Sequence, residues 1–205
     1  MLIIAAAAMM LTSITASAAG SGFSGEDRLI TAAAAPHDNK YTEIQWGGDI
    51  KRENCGIPIT DGERLLLPSG NKLLALDEKT GAELSSSELP GKSSEEYAGA
   101  KLGTSLLLPL ENGAALINTE SLAVEKSWSF DGKTASDCAI IDKMGYFAVE
   151  YDESWEFMCL DLDSDSTKKL WSCEIKDKPS AAAVQGDNII FSAGENIYTH
   201  HYKDS

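Results

Sequence analysis

Basic residues are scarce in this chain. It carries 17 Lys and Arg against 32 Asp and Glu, a formal net charge of −15, and no basic residue precedes Arg28. A chain with no basic stripe is a poor match for a phosphate backbone or an anionic lipid surface, because both need clustered Lys and Arg. The plainer meaning of the acidity is solubility. Cysteine is confined to Cys55, Cys138, Cys159 and Cys173, with no C-x-x-C pair, no zinc-ligand spacing and no two cysteines adjacent. Histidine is confined to His37, His200 and His201. No G-x-S-x-G elbow, P-loop or dinucleotide fingerprint occurs, so the hydrolases and nucleotide enzymes that those motifs mark have no support here.

Long hydrophobic runs are missing too. Met1 to Met10 read MLIIAAAAMM, which is too short to span a bilayer stably, and small residues follow. Ala16-Ser17-Ala18 fits the small-x-small rule of a signal peptidase site, so residues 1–19 are predicted to be a secretion signal, with residues 20–40 as a linker. The missing basic n-region departs from that pattern, and the alternative is a buried N-terminal helix. No Cys follows the apolar run, so a lipoprotein anchor is not indicated. Export permits disulfides without requiring them. Cys159 and Cys173 are spaced to face each other across a hairpin, whereas the plainer reading makes all four cysteines small buried hydrophobes.

The chain repeats itself. Gly62, Gly103, Gly145 and Gly186 are 41, 42 and 41 residues apart, and each leads into an apolar run. A second series, Leu73–Asp77 (LLALD), Ala114–Asn118 (AALIN) and Phe157–Asp161 (FMCLD), ends each time in a residue that can start a turn. In Asp77-Glu78-Lys79-Thr80-Gly81 the glycine sits where a positive φ is needed. A third series, Trp46, Ser85, Trp128 and Trp171, marks the strand after that turn. Each of the first three units then holds four extended runs, and the fourth holds three. They are Gly56–Thr60, Arg64–Pro68, Lys72–Asp77 and Ala82–Glu88 in the first unit, and Ala98–Lys101, Ser105–Leu110, Ala114–Asn118 and Val124–Phe130 in the second. The third has Cys138–Ile141, Gly145–Glu150, Glu156–Asp161 and Lys169–Ile175, and the fourth has Ser180–Val184, Asn188–Ala193 and Asn196–Tyr202. Four short antiparallel strands in about 40 residues is the mark of a propeller blade. The first run of each unit is rich in Gly and Ala, as the narrow axial edge of a wedge requires.

Leu73-Leu74-Ala75-Leu76-Asp77-Glu78-Lys79-Thr80-Gly81 and Cys159-Leu160-Asp161 with Lys169-Leu170-Trp171 resemble the PQQ-like repeat, L-x-A-L-D-x-x-T-G-x-x-L-W. The outer-membrane assembly propeller and the quinoprotein alcohol dehydrogenases share that repeat. The resemblance covers residues 41–205, is specific in the first and third units, and is degenerate in the second and fourth. It implies an all-β fold, a β-propeller of four-stranded antiparallel blades with about three and a half blades present, at about 54–90, 97–131, 137–176 and 179–205. Tyr41–Trp46 looks like the loose outer strand that closes the last blade in this family.

Candidate chemistry is thin. The dehydrogenases of the family cover their quinone with adjacent cysteines, which this chain lacks. Asp161-Leu162-Asp163-Ser164-Asp165-Ser166 begins like a calcium loop, but Ser166 stands where glycine belongs and Ser172 where a bidentate glutamate belongs. An exposed hairpin turn is the plainer reading. His200 and His201 alternate faces, and His37 lies beside Pro36 in the linker. The pairs Glu95-Glu96 and Asp152-Glu153 read as solvated loop residues. No catalytic, cofactor-binding or metal residue is assigned, and no cofactor is expected. The expectation is an exported, non-catalytic scaffold or interaction module, outside the membrane, binding a protein or cell-surface ligand. It is read as the N-terminal part of a longer propeller, with a ring-completing dimer as the rival. The alternative function is a quinone-dependent or carbohydrate-active enzyme whose site lies in other blades.

Overall fold

In this computed structural model, the described residues are 54–62, 64–152, 154–165, 167 and 169–201. The leader, the linker with His37, and Tyr41–Trp46 lie outside them, as do Glu63, Glu153, Ser166 and Tyr202. The described residues form sixteen strands and four sheets. Blade I holds β1 (Ile59–Asp61), β2 (Arg64–Ser69), β3 (Lys72–Asp77) and β4 (Glu83–Glu88) in that order. Blade II holds β5 (Ala100–Leu102), β6 (Ser105–Leu110), β7 (Gly113–Asn118) and β8 (Val124–Ser129). Blade III holds β10 (Ala139–Ile141), β11 (Met144–Glu150), β12 (Trp155–Asp161) and β13 (Lys169–Ile175), and β9 (Lys133–Thr134) pairs with the far end of β11. Blade IV holds β14 (Ala183–Gln185), β15 (Asn188–Ala193) and β16 (Asn196–His201). All pairings are antiparallel. The architecture is the partial propeller that the repeat implied.

The two middle strands of a blade are apolar on both faces because both faces are covered. Leu73, Leu74, Ala75 and Leu76 of β3 are all buried, as are Gly113 to Ile117 of β7. The fourth strands β4 and β8 alternate or run polar, because they form the outer rim. Three apolar seams join the blades. Ile59, Leu66, Leu73 and Ala75 meet Leu106, Leu108, Ala115 and Ile117 between blades I and II. Leu107, Leu116 and Trp128 meet Phe147, Met158 and Leu160 between II and III. Tyr146, Phe157 and Cys159 meet Ile189, Phe191 and Ala193 between III and IV. At the last seam Phe157 stacks on Phe191 with ring centroids 4.0 Å apart, and Phe191 stacks on Tyr198 at 5.0 Å.

First strands of adjacent blades converge at the axis: β5 and β14 both approach β10. The crowding explains their small residues. A Cβ added to Gly56 would lie 2.5 Å from the Ser94 carbonyl oxygen, and one on Gly99 would lie 2.9 Å from that of Leu107. The axial edge extends beyond the regular strands. Backbone N–H groups of Gly56, Ser94, Ala135 and Ser180 donate to the carbonyls of Pro68, Pro109, Ala148 and Ser192 at 2.7–3.0 Å. A second-strand N–H at that point would lack a ladder acceptor. Blades I and II remove it with proline (Pro68 and Pro109). In III and IV the Ala148 and Ser192 N–H groups donate instead to the hydroxyls of Ser136 and Ser180, at 2.8 and 3.0 Å.

Two of the sequence registers need correction. Gly62, Gly103 and Gly186 each open a two-residue hairpin loop at φ of 66°, 59° and 57°, but the equivalent residue of blade III is Asp142, at φ 52°. Gly145 lies inside β11, opposite Ile140 and Leu160. Its glycine answers a different need, since a Cβ there would lie 2.6 Å from the Leu107 side chain across the seam. The tryptophan series also slips. Ser85 and Trp171 occupy the same position, opposite Ala75 and Cys159, whereas Trp128 lies opposite Ala114, two residues further along its strand and on the same face.

The turn series holds in detail. The Asp77 carboxylate accepts from the Lys79 and Thr80 N–H groups and the Thr80 hydroxyl, the Asn118 side-chain oxygen from the Glu120 and Ser121 N–H groups, and the Asp161 carboxylate from those of Asp163 and Ser164. Gly81 has φ 69°, as its turn requires, and Leu122 takes the matching position in blade II at φ 58°. The Thr80 hydroxyl and N–H bonds hold the Asp77 carboxyl below its ordinary value, and the Ser164 and Asp163 N–H groups do the same for Asp161. Both turns are therefore firm above the ordinary carboxylate range and loosen as pH falls through the lowered values.

Because Asp142 sits in the left-handed region that glycine enters without steric cost, Asp142→Gly is expected to stabilise the fold by up to about 1 kcal/mol, whereas Gly103→Ala costs about 1 kcal/mol. Urea denaturation of the two variants checks the pair; a destabilising Asp142→Gly contradicts the assigned turn.

Candidate functional site

The antiparallel blades send their loops alternately to two ends. One end gathers the segments that run from the fourth strand of one blade to the first of the next, together with the hairpins between second and third strands. There, segments 89–99 and 130–138 meet the β6–β7 turn and the end of β11. They enclose a cavity of about 450 Å³ lined by Lys92, Tyr97, Glu111, Lys133, Glu150 and Lys178, among others. A neighbouring cavity of about 540 Å³ shares Lys133 and Glu150 and adds Asp131, Tyr151 and Asp152. Together they form a charged cleft along the axial edge of blades II and III.

Its floor is tied to the sheets. The buried Thr134 hydroxyl donates to the Leu110 carbonyl at 2.6 Å, with the Gly113 carbonyl 3.0 Å away as a second acceptor within reach, and the Thr134 N–H donates to the Glu111 carbonyl at 2.9 Å. The Glu111 N–H in turn donates to the Lys92 carbonyl at 2.7 Å. Across the blade II–III boundary, the Ala98 N–H donates to the Asp137 carboxylate at 2.8 Å and the Cys138 N–H to the Ala98 carbonyl at 2.9 Å.

The cleft's charges have partners. Lys92 pairs with Glu95 at 3.1 Å, and the Lys178 ammonium lies 5.5 Å from the centre of the Tyr97 ring. The hydrogen bond and charge of Glu95, with Glu111 beyond, hold Lys92 above the ordinary lysine value. Tyr97, followed by Glu96 and Glu150, does so for Lys178. Burial and the adjacent Glu156 push the Tyr151 phenol up. Burial also pushes the Glu156 carboxyl up, but hydrogen bonds from Lys169, Ser172 and Tyr151 outweigh it and leave Glu156 below its ordinary value. Each of these shifts moves away from neutral pH. Such groups keep fixed charges and suit ionic and hydrogen-bonded recognition; proton transfer near pH 7 needs the opposite shift.

The residues weighed from sequence are dispersed. Glu95 and Glu96 line the cleft, Glu95 in its pair with Lys92. Asp152 lines the second cavity. Asp161 is engaged by the backbone of its own turn, and Asp163 pairs with Lys143 at 2.7 Å. Among the described residues no group of three His, Cys, Asp or Glu is arranged to hold a metal ion. His200 and His201 do alternate: His200 lies 4.2 Å from the Trp171 ring, and His201 lies 4.0 Å from Asp187. Sequence reasoning missed Tyr97, Lys133 and Lys178 as neighbours. They belong to three separate interblade segments, and only the three-dimensional register of the blades brings them together.

The cysteine readings are corrected in part. Cys159 lies opposite Trp171, and Cys173 lies opposite Phe157, so the two do not face each other. Cys138 and Cys159 are buried, but Cys55 is half-buried and Cys173 exposed, because β13 forms the outer rim. Burial drives the Cys138 thiol well up and pushes Cys159 up to about 12. A thiol-reactive dye at pH 8 is therefore expected to modify Cys173 first and Cys55 more slowly, leaving Cys138 and Cys159 until the protein unfolds. Peptide mapping after timed labelling reads this out, and early labelling of Cys138 contradicts the seam between blades II and III.

No family model matches the chain, and no curated protein matches it by sequence. Solved structures do match in shape. BamB from Moraxella catarrhalis superposes with a TM-score of 0.58 at 10% identity, over 74% of this chain and 48% of that one. The quinohemoprotein alcohol dehydrogenase ADHIIG from Pseudomonas putida HK5 gives 0.59 at 9% identity, over 75% of this chain and 33% of that one. The computationally designed Ika4 protein gives 0.54 at 8% identity, over 70% of this chain and 88% of that one. The chain thus spans about half the length of BamB and a third of the dehydrogenase. The likeness shows the fold, a partial β-propeller.

Proposed function

We propose that this chain is an extracytoplasmic propeller scaffold that recognises a protein or cell-surface ligand through the charged cleft at the axial end of blades II and III, without catalysis of its own. The observation that carries the reading is the pairing inside the cleft: Lys92 with Glu95 at 3.1 Å, Lys178 over the Tyr97 ring at 5.5 Å, and Tyr151, part-buried, on Glu156 at 3.2 Å, beside a floor bonded into two sheets. Rigid, fixed charges favour recognition over proton transfer. The leader-like run ending in Ala16-Ser17-Ala18 supports export. A second reading draws on the fold shared with ADHIIG: an enzyme in which these blades form one wall and a quinone or sugar site lies in others.

Expression with the native leader is expected to yield protein outside the cytoplasm, with an intact mass that has lost residues 1–19. A photo-crosslinking residue at Lys178 in that protein should form a discrete adduct at the cell surface, weakened by Lys133→Glu. Uncleaved protein in the cytoplasm, or no adduct from either Lys178 or Tyr97, contradicts the proposal. Quinone-dependent oxidation of alcohols by the purified chain would favour the second reading.

A further inference from the structure

We propose that Tyr97, Glu96 and Glu150 form a seat for an alkylammonium group, that Lys178 fills the seat in the free protein, and that a lysine of the partner protein takes its place on binding. This rests on the reading of the cleft as a recognition site and adds the chemistry of the group that enters it.

The seat is assembled from separate parts of the chain. Glu96 and Tyr97 lie between blades I and II, Glu150 ends β11, and Lys178 lies between β13 and β14. All four line the cavity of about 450 Å³. The half-buried Tyr97 is held on both flanks. Its own N–H donates to the Ser94 hydroxyl at 3.2 Å, and the next residue, Ala98, donates to the Asp137 carboxylate at 2.8 Å and accepts from the Cys138 N–H at 2.9 Å. A fixed aromatic face beside carboxylates attracts a cation, because the ring quadrupole and the carboxylate charge act in the same direction.

Lys178 demonstrates that attraction. Its ammonium lies 5.5 Å from the centre of the Tyr97 ring. Tyr97, followed by the charges of Glu96 and Glu150, holds its pKa above the ordinary lysine value. The molecule therefore supplies its own first occupant. That occupant is free to leave: Lys178 is exposed, and among the described residues it makes no close ion pair, unlike Lys92 with Glu95 at 3.1 Å. An exposed contact of this kind favours the seated form by about two- to fivefold.

Charge decides between an ammonium and a carboxylate as the incoming group. Glu96, Glu111 and Glu150 line this cavity, and Asp131 and Asp152 line the adjoining one. Of the cations, Lys92 is engaged by Glu95, and Lys133 lies opposite Glu150 in the β9–β11 pairing. Carboxylates outnumber ammoniums in the lining, and the chain as a whole carries −15. An anion would enter against that field and a cation with it. Lys133 has the separate task of facing Glu150. Lys133→Glu would set like charges opposite each other and turn Glu150 out of the seat, so it weakens binding despite adding negative charge.

The test is a titration of the purified chain, read by the amide NMR signals of Tyr97, Ala98 and Glu150. The probes are n-butylammonium, butyrate, and a Gly-Lys-Gly tripeptide blocked at both ends, with and without acetylation of its lysine. Butylammonium and the unacetylated tripeptide should give saturable shifts, and butyrate and the acetylated tripeptide none. Lys178→Ala should bind butylammonium about three- to sixfold tighter, since the competing occupant is gone. Tyr97→Leu should lose the saturable shift and Tyr97→Phe keep it. Silence with butylammonium in Lys178→Ala overturns the proposal, as does a response to butyrate alone or an affinity indifferent to Lys178→Ala. Binding of butylammonium without the tripeptide overturns a protein lysine as the incoming group. A surface crosslink from position 178 with no response to butylammonium sinks the ammonium seat and leaves recognition standing; a responsive seat with no crosslink does the reverse.

Discussion

The structure depends on burying both faces of each blade's middle strands. A four-stranded sheet alone covers neither face, and here the cover comes from the next blade. That constraint explains the unbroken apolar runs of β3, β7 and β12, which would be a liability in a sheet with one wet face. It also explains the polar rim of β4 and β8, and the Gly and Ala residues where first strands converge. Three basic side chains also tie blade to blade. Arg64 of blade I pairs with Asp61 and donates to the Thr119 carbonyl of blade II at 3.1 Å, Lys101 reaches Asp61 at 3.2 Å, and Lys126 of blade II donates to the Leu162 and Ser164 carbonyls of blade III.

Much of this was legible because two signals coincide in the third strand. LLALD, AALIN and FMCLD each combine a doubly buried run with a side chain that accepts from the two or three residues after it, so both ends of the strand are marked. Strand ranges read there match the structure closely. The first strands were harder. Small residues begin at Gly56 and Ser180, but regular pairing begins at Ile59 and Ala183, because the axial edge first makes isolated bridges. Gly145 misled for a physical reason. Glycine is required both where φ is positive and where a neighbour comes close, and a spacing near 42 does not distinguish the two. Asp142 carried the turn, at some strain, in a residue type that tolerates left-handed backbone better than most.

The cleft was the least legible feature. Lys92, Lys133 and Lys178 are ordinary charged residues in ordinary linkers, and nothing in their local sequence sets them apart from a solvated face. They become neighbours only because each linker returns the chain to the axis at the same end. The repeat therefore predicted where a recognition surface would be built, but not its charges. The same repetition shows in burial: the position held by Leu73, Ala114 and Phe157, buried in the first three blades, is held by the exposed Ile197 in the fourth.

Stacked side chains across the seams hold the blades as one body. A double-mutant cycle on Phe157 and Phe191, whose rings lie 4.0 Å apart across the blade III–IV seam, tests it most directly. Replacing each by leucine, singly and together, should reveal a coupling of about 0.5–1.5 kcal/mol in equilibrium unfolding. Strict additivity, within about 0.3 kcal/mol, would mean that the two blades do not meet there and that the arrangement described is wrong.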